Sequence, residues 1–79
     1  MKNKYYHILE QATGRDRSKL GDEISFKRDL DMSSLDIAML YPQIEDEFGI
    51  EFSPIEDDFG EIFDSVGSLW RYIEGKRNL

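Results

Sequence analysis

A pair of serines inside an acidic segment is the feature of this sequence that could carry chemistry. The segment Asp29-Leu-Asp-Met-Ser-Ser-Leu-Asp36 places Ser33 and Ser34 directly before an apolar helical pattern. The start of an α-helix offers unpaired backbone N–H groups and a partial positive charge, and both favour a phosphate attached there. A serine hydroxyl at this position is therefore a candidate for carrying a phosphate-linked group.

The two serines have different predicted roles. Ser33-x-x-Asp36 fits a capping box, in which Ser33 is the N-cap and the Asp36 carboxylate reaches back to it. Ser34 is then the first helical residue, about 60° around the helix from Ile37, and its hydroxyl is uncommitted. A chain attached to Ser34 could lie in solvent or fold toward the core. The residue types alone also allow both serines to be ordinary capping residues.

Three stripes of apolar residues recur at helical spacing and predict three main helices. Gly14, Gly49 and Gly75 are predicted to end them. Asp64 or Ser65 is predicted to cap the third helix. The stripes are Tyr5, Ile8, Leu9 and Ala12; Ile37, Leu40, Tyr41, Ile44 and Phe48; and Val66, Leu69, Trp70 and Ile73.

The connections complete the predicted architecture. Residues 14–28 form a long loop that Leu20, Ile24 and Phe26 can anchor, and Ser53-Pro54 predicts the start of a short fourth helix. Pro42 either kinks or breaks the second helix, or starts a new helical segment. No strand pattern of useful length is present. We expect an all-α fold, a small four-helix bundle of three main helices and one short one, with residues 1–79 forming a single domain.

The predicted core consists of the apolar residues that face inward on these elements. It comprises Ile8, Leu9, Phe26, Leu30, Ile37, Leu40, Ile44, Phe48, Phe52, Ile62, Val66, Leu69 and Ile73.

Charge is unevenly distributed along the chain. The formal net charge is −7, and the stretch from Asp29 to Asp64 holds twelve acidic residues and no Lys or Arg. Such a surface repels phosphate backbones and anionic headgroups, so neither nucleic acid nor a membrane is expected as a partner. The absence of cysteine excludes disulfides and thiolate metal sites. We expect a cytoplasmic protein, because the N-terminus lacks the apolar segment of a signal peptide. We also expect the protein to be a monomer.

Two other chemistries receive little support from the sequence. Asp29-x-Asp31-x-Ser33 begins like a calcium-binding loop, but Ser34 stands where its glycine is needed, and Leu40 cannot supply the closing carboxylate. His7 is the only histidine, and nothing in the sequence pairs it with Ser34. We therefore expect no metal site and no enzymatic activity.

The outward face of the second helix could bind a partner. Leu35 and Met39 lie roughly opposite the buried stripe and are accompanied by carboxylates, which would combine apolar contact area with charge for steering. Single exposed apolar residues are also ordinary on protein surfaces. The residues predicted to contact partners are Ser33, Leu35, Asp36, Met39, Glu45 and Asp46.

Three segments in the correct order resemble the acyl carrier proteins. Residues 26–36 are similar to the family's stretch around its attachment serine, which usually reads Asp-Ser-Leu. Residues 44–52, Ile-Glu-Asp-Glu-Phe-Gly-Ile-Glu-Phe, look like the end of its second helix. Residues 63–73, Phe-Asp-Ser-Val-Gly-Ser-Leu-Trp-Arg-Tyr-Ile, look like its last helix.

The resemblance implies a carrier with no catalysis of its own. A phosphopantetheinyl transferase would move 4′-phosphopantetheine from coenzyme A onto Ser34, and acyl groups would be held as thioesters on its thiol. Acyl-loading and acyl-processing enzymes of fatty-acid, polyketide or related pathways would dock on the second helix through basic patches.

The chain departs from the family pattern at three positions. Ser33 replaces a residue that is usually acidic, Met39 stands where glutamate is common, and Pro42 interrupts a helix that is normally continuous. With these departures, a specialised carrier for a dedicated pathway is at least as well supported as the general fatty-acid carrier. The departure at Ser33 also leaves open a carrier-like acidic domain that is no longer modified and only binds a protein partner.

Overall fold

The computed structural model describes residues 2–53, 55 and 57–77 as four α-helices joined by loops. The helices are α1, Lys2–Thr13; α2, Ser34–Phe48; α3, Phe59–Ile62; and α4, Val66–Arg77. The loop between α1 and α2 contains a single 3₁₀ turn, Arg17–Lys19. Within the described residues, β-type pairing is limited to an isolated bridge between Ser25 and Ser65. The predicted all-α architecture with its long first loop is confirmed.

Glycine ends two of the three main helices as predicted. Gly14 and Gly49 both adopt positive φ angles, 71° and 64°. Each donates its N–H to a carbonyl of the preceding turn, Glu10 and Glu45 respectively, at 2.8 Å. The prediction that Gly75 ends α4 is wrong, because the helix continues to Arg77. Cationic residues in that last turn are favourable to the helix dipole.

The core is formed by inward-facing apolar residues from all four helices and the long loop. All thirteen predicted core residues are buried, whereas Ala12 of the first stripe is exposed. The structure adds Tyr5, Leu20, Met32, Ile50 and Phe63 to the core.

The long loop is fastened to the beginning of α4. The carbonyls of Asp22 and Ile24 accept the N–H groups of Gly67 and Val66 at 3.0 and 2.9 Å. The Tyr5 hydroxyl donates to the Val66 carbonyl at 2.6 Å, and burial raises the pKa of this hydroxyl, so it remains a donor. The two backbone bonds satisfy the first N–H groups of α4, which have no partner within the helix.

Close packing of this loop requires glycine at position 67. A Cβ placed on Gly67 would lie 2.8 Å from the Asp22 Cβ and 3.0 Å from its carbonyl oxygen, whereas a Cβ on Gly75 would meet nothing within 4 Å. We expect Gly67→Ala to lower the free energy of unfolding by ~1–3 kcal/mol through overpacking. Gly75→Ala, in the same helix, should raise it by ~0.5–1 kcal/mol. Urea denaturation of both variants measures the difference, and a shift of the same sign in both would contradict the predicted clash.

Pro42 does not interrupt α2. The residue is exposed and lies within one continuous helix, Ser34–Phe48. The carbonyl that loses its N–H donor belongs to Ala38, which is also exposed and can accept from water. A break at Pro42 and a new helical segment starting there are therefore wrong, whereas a kink within the continuous helix stays a prediction.

The segment before α3 is held by two neighbouring aspartates. The Asp57 carboxylate accepts the Tyr72 hydroxyl at 2.6 Å and the Ser53 N–H at 2.7 Å. Asp58 is the N-cap of α3 and accepts the Glu61 N–H at 3.2 Å. The short helix thus begins at Phe59, and the predicted helix start at Pro54 lies outside the described residues.

Candidate functional site

The start of α2 adopts the capping box predicted from the sequence. The Ser33 hydroxyl accepts the Asp36 N–H at 3.2 Å and donates to the Asp36 carboxylate at 3.0 Å. The same carboxylate accepts the Ser33 N–H at 2.9 Å. Ser33 is therefore fully engaged in stabilising the helix end, and Ser34 is the first helical residue.

Ser34 provides the available hydroxyl at this helix start. Its side chain is exposed, and in the described part of the chain its Oγ has no hydrogen-bond partner. The hydroxyl lies in the first turn, where backbone N–H groups lack partners within the helix. An incoming phosphoryl group can reach Ser34 without breaking any interaction that holds the fold, which is not true of Ser33.

The capping box makes part of the stability pH-dependent. The hydrogen bond from the Ser33 N–H, and to a smaller extent the one from the Ser33 hydroxyl, holds the pKa of Asp36 below its usual value of about 3.8. A lowered folded-state pKa means that the stabilisation is present above the unfolded pKa and is lost as the pH falls through the folded one. We expect Asp36→Asn to lower the melting temperature at pH 7. The difference in melting temperature between this variant and wild type should become smaller below pH 3.8.

Thermal unfolding between pH 3 and 7 tests this expectation. Asp46→Asn is the matched control, since Asp46 is exposed on the same helix and has no hydrogen bond within the described ranges. The capping role of the carboxylate would be contradicted if the difference in melting temperature between Asp36→Asn and wild type did not change with pH. An equal decrease in the melting temperature of Asp46→Asn would contradict it too.

An apolar cavity opens beside Ser34, between α2 and α3. Its volume is about 380 Å³. We call it the serine groove, and it is lined by Lys27, Ser34, Ile37, Ala38, Tyr41, Phe59, Gly60, Phe63 and Asp64. Concave, largely apolar cavities with a few polar groups are the usual form of small-molecule sites.

Aromatic rings form the wall of the serine groove. The Tyr41 and Phe59 rings meet edge to face at 5.5 Å, and Phe59 packs against Phe63 at 5.7 Å. Phe52 lies behind them and stacks on Tyr72 with 5.0 Å between ring centroids. The groove is thus backed by a packed aromatic cluster that connects α2 and α3 to α4.

The outward face of α2 agrees in exposure with the predicted partner surface. Leu35 and Met39 are 69% and 66% exposed. Asp46 is exposed too, whereas Glu45 is half-buried and accepts the Phe52 N–H at 2.8 Å. Glu45 therefore contributes to holding the segment after α2, and partner contact by all six predicted residues remains a prediction.

Negative charge on this side of the molecule is only locally compensated. Among the described residues, the acidic stretch forms two ion pairs, Arg28–Asp29 at 3.5 Å and Lys4–Glu47 at 3.6 Å. Both pairs are largely exposed and contribute little to stability. Asp36 and Asp46 are exposed, form no ion pair within the described residues, and make the surface of α2 negative.

The sequence patterns did not reveal the serine groove. Its lining comes from residue 27, the first half of α2 and residues 59–64, which are far apart in the chain. Ala38 and Gly60 contribute because they are small, and the helical spacing predicts Tyr41 only as a member of the buried stripe. The position of Ser34 at the edge of that stripe was the one signal that pointed toward a neighbouring cavity.

Comparison with known proteins identifies the class of site. Residues 6–73 match the family described as the phosphopantetheine attachment site. The chain is also similar to the acyl carrier protein of Lactobacillus johnsonii, with 34% identity over 76 residues, covering 96% of this chain and 91% of that protein.

These matches span nearly the whole chain, which belongs to the acyl carrier protein family. Its cofactor is covalently attached 4′-phosphopantetheine, and the protein carries acyl groups for partner enzymes. Family membership also implies interaction with a phosphopantetheinyl transferase and with acyl-processing enzymes. No helix in the described ranges is long and apolar enough to cross a membrane.

Proposed function

We propose that Ser34 is the residue to which 4′-phosphopantetheine is attached, within one carrier domain formed by residues 1–79. The observation that carries the proposal is the different hydrogen bonding of the two serines at the start of α2. Ser33 is occupied by the capping box, whereas the adjacent Ser34 hydroxyl is exposed and has no partner within the described residues.

The residues around Ser34 fit this cofactor in chemistry and shape. The first turn of α2 presents backbone N–H groups and partial positive charge toward a phosphate ester. The serine groove lies beside the same hydroxyl and could shelter the apolar parts of an attached chain. When bound, the group supplies a terminal thiol on which acyl groups are carried as thioesters. The chain itself contains no cysteine that could compete for them.

The serine groove supports a path in which the attached chain folds toward the core and does not lie in solvent. Ile37, Ala38 and Tyr41 extend from Ser34 along α2 and form one continuous apolar wall. Burying a methylene group against such a wall is favourable by about 0.8 kcal/mol. We therefore propose that cargo on Ser34 folds toward the space between α2 and α3 when no partner enzyme is bound.

The exposed face of α2 is the proposed contact for partner enzymes. Leu35 and Met39 offer apolar area within a negative field, a combination suited to basic docking patches. Ser33, Asp36, Glu45 and Asp46 complete the proposed contact residues.

We further propose a specialised carrier that acts as a cytoplasmic monomer without catalytic activity. Met39, in place of a carboxylate, and the exposed Pro42 give the docking face a shape and charge that differ from the usual family pattern. The net charge of −7 opposes binding to nucleic acid or anionic membranes.

Intact mass measurement tests the proposed function. The purified protein is incubated with coenzyme A, magnesium and a broad-specificity phosphopantetheinyl transferase. We expect the mass to increase by one phosphopantetheine. A folded protein that gains no mass with several transferases would instead support the alternative function, an unmodified acidic module that only binds proteins.

A further inference from the structure

One basic residue, Lys27, lines the serine groove. Among the described residues that line the groove, Lys27 is the only Lys or Arg and Asp64 is the only carboxylate. The next basic residue after Arg28 in the sequence is Arg71, so α2 and α3 contribute no cation to this region. The charge of Lys27 is therefore an isolated feature of the groove in which Ser34 lies.

The loop that carries Lys27 is held in place by its own hydrogen bonds. Phe26, the preceding residue, is fully buried, and its ring packs 6.1 Å from that of Phe63. The Ser25 carbonyl accepts the N–H groups of Asp29 and Leu30 at 3.0 and 3.1 Å. These contacts fix the backbone of Lys27 beside the groove and leave its long side chain free to adapt.

Lys27 has no counter-charge of its own. Its side chain is exposed, and within residues 2–53, 55 and 57–77 it forms no ion pair or hydrogen bond. Arg28, the next residue, is instead paired with Asp29 at 3.5 Å. An unpaired ammonium group beside an anion-binding helix start is suited to receive an anion.

The phosphodiester is the anion that this position fits best. It is bonded directly to the Ser34 oxygen, so it must lie at the end of the groove where Ser34 lies. A carboxylate on the cargo would be separated from Ser34 by the whole length of the pantetheine arm. Such a carboxylate would also meet Asp64 and the aromatic wall, which disfavour negative charge.

We propose that Lys27 is a positioning residue that pairs with the phosphodiester on Ser34 and directs the attached arm into the serine groove. This inference rests on the proposed attachment at Ser34. The pairing also offsets the repulsion that a phosphate would experience from Asp29, Asp31 and Asp36, the acidic residues of the preceding loop and the first helical turn. No covalent step is involved.

The test uses the modified protein and compares it with the unmodified one. Wild type, Lys27→Gln and Lys27→Arg are converted with coenzyme A and transferase, and Lys19→Gln serves as the control because Lys19 is exposed and lies outside the groove. Two quantities are measured at low and high salt. They are the ³¹P chemical shift of the phosphodiester and the change in the unfolding equilibrium constant on modification.

We expect Lys27→Gln to move the ³¹P shift, whereas Lys27→Arg and Lys19→Gln should leave it near the wild-type value. Modification should disfavour folding about two- to fivefold more in Lys27→Gln than in wild type, as expected for losing an exposed ion pair. Salt should reduce this difference, since screening weakens such pairs.

Three results would overturn the inference, and they are distinguishable. If modified Lys27→Gln behaves as wild type in both measurements, the proposed pairing of Lys27 with the phosphodiester is refuted, whereas attachment at Ser34 is not affected. An effect that appears only with malonyl-loaded protein, and not with acetyl-loaded protein, assigns Lys27 to a cargo carboxylate. Failure of wild type to gain any mass removes both this inference and the proposed function.

Discussion

Replacing Leu40 with alanine should lower the free energy of unfolding by ~2–5 kcal/mol. The Leu40 side chain is 1% exposed and lies at the centre of the buried face of α2. Its removal leaves a cavity that the surrounding helices can fill only partly, so packing contacts are lost together with the transfer free energy. Domains of this size are only marginally stable, and a loss of this magnitude threatens folding itself.

Leu35→Ala provides the matched control. It makes the same chemical change on the same helix, but Leu35 is 69% exposed, so the effect should stay within about 0.5 kcal/mol. Urea denaturation followed by circular dichroism measures both. Equal losses in the two variants would show that α2 does not face the core as described. If Leu40→Ala is unfolded without denaturant, the milder Leu40→Val should still be less stable than Leu35→Ala.

Ser34→Ala should abolish attachment of phosphopantetheine completely. In the proposed attachment the hydroxyl oxygen of this residue accepts the phosphoryl group, and alanine has no such oxygen. The fold should be unaffected, because alanine favours the helical state and the Ser34 hydroxyl makes no hydrogen bond within the described residues. The intact mass after incubation with coenzyme A and transferase reports attachment directly.

Substitutions at Ser33 separate the two serines. Ser33→Ala removes the N-cap and should cost about 1 kcal/mol of stability, yet it should still be modified. Ser33→Asp preserves a good capping residue, so it should be both folded and modified. The roles assigned to these residues would be contradicted if Ser34→Ala were modified, or if Ser33→Asp folded but did not acquire phosphopantetheine.

Local sequence patterns predicted most of the helical architecture. The capping box of Ser33 and Asp36 involves residues three apart, and the same is true of the cap at Ser65, where the hydroxyl accepts the Ser68 N–H at 3.1 Å. Such contacts depend on short spacings that a sequence displays directly. Helical periodicity likewise placed the core residues of α1, α2 and α4 correctly.

The errors have a different physical cause at each position. Gly75 was predicted to end α4, but nothing there requires a left-handed conformation, and the helix continues to Arg77. Met32 and Ile50 are buried although neither belongs to a helical stripe, since each lies in a loop that packs against the bundle. Pro42 is tolerated within α2 because it lies on the exposed side.

The serine groove and the position of Lys27 lie beyond what periodicity can reveal. Lys27 and Phe59 line the same cavity because the fold brings the loop and α3 together beside α2. Residues of such different sequence position come together through the fold, and no spacing rule connects them. The uncommitted hydroxyl of Ser34 could therefore be predicted from the sequence, whereas the groove beside it could be seen only in the structure.

Sequencing the modified peptide tests the central claim most directly. Cleavage after Arg28 and Arg71 releases residues 29–71 as one tryptic peptide that contains both serines. Fragmentation by electron transfer preserves the attached arm and distinguishes adjacent residues. We predict that the added mass of phosphopantetheine first appears in the fragment that includes Ser34 and is absent from the fragment that ends at Ser33. Added mass on Ser33, or on any other residue, would contradict the assignment of the attachment site.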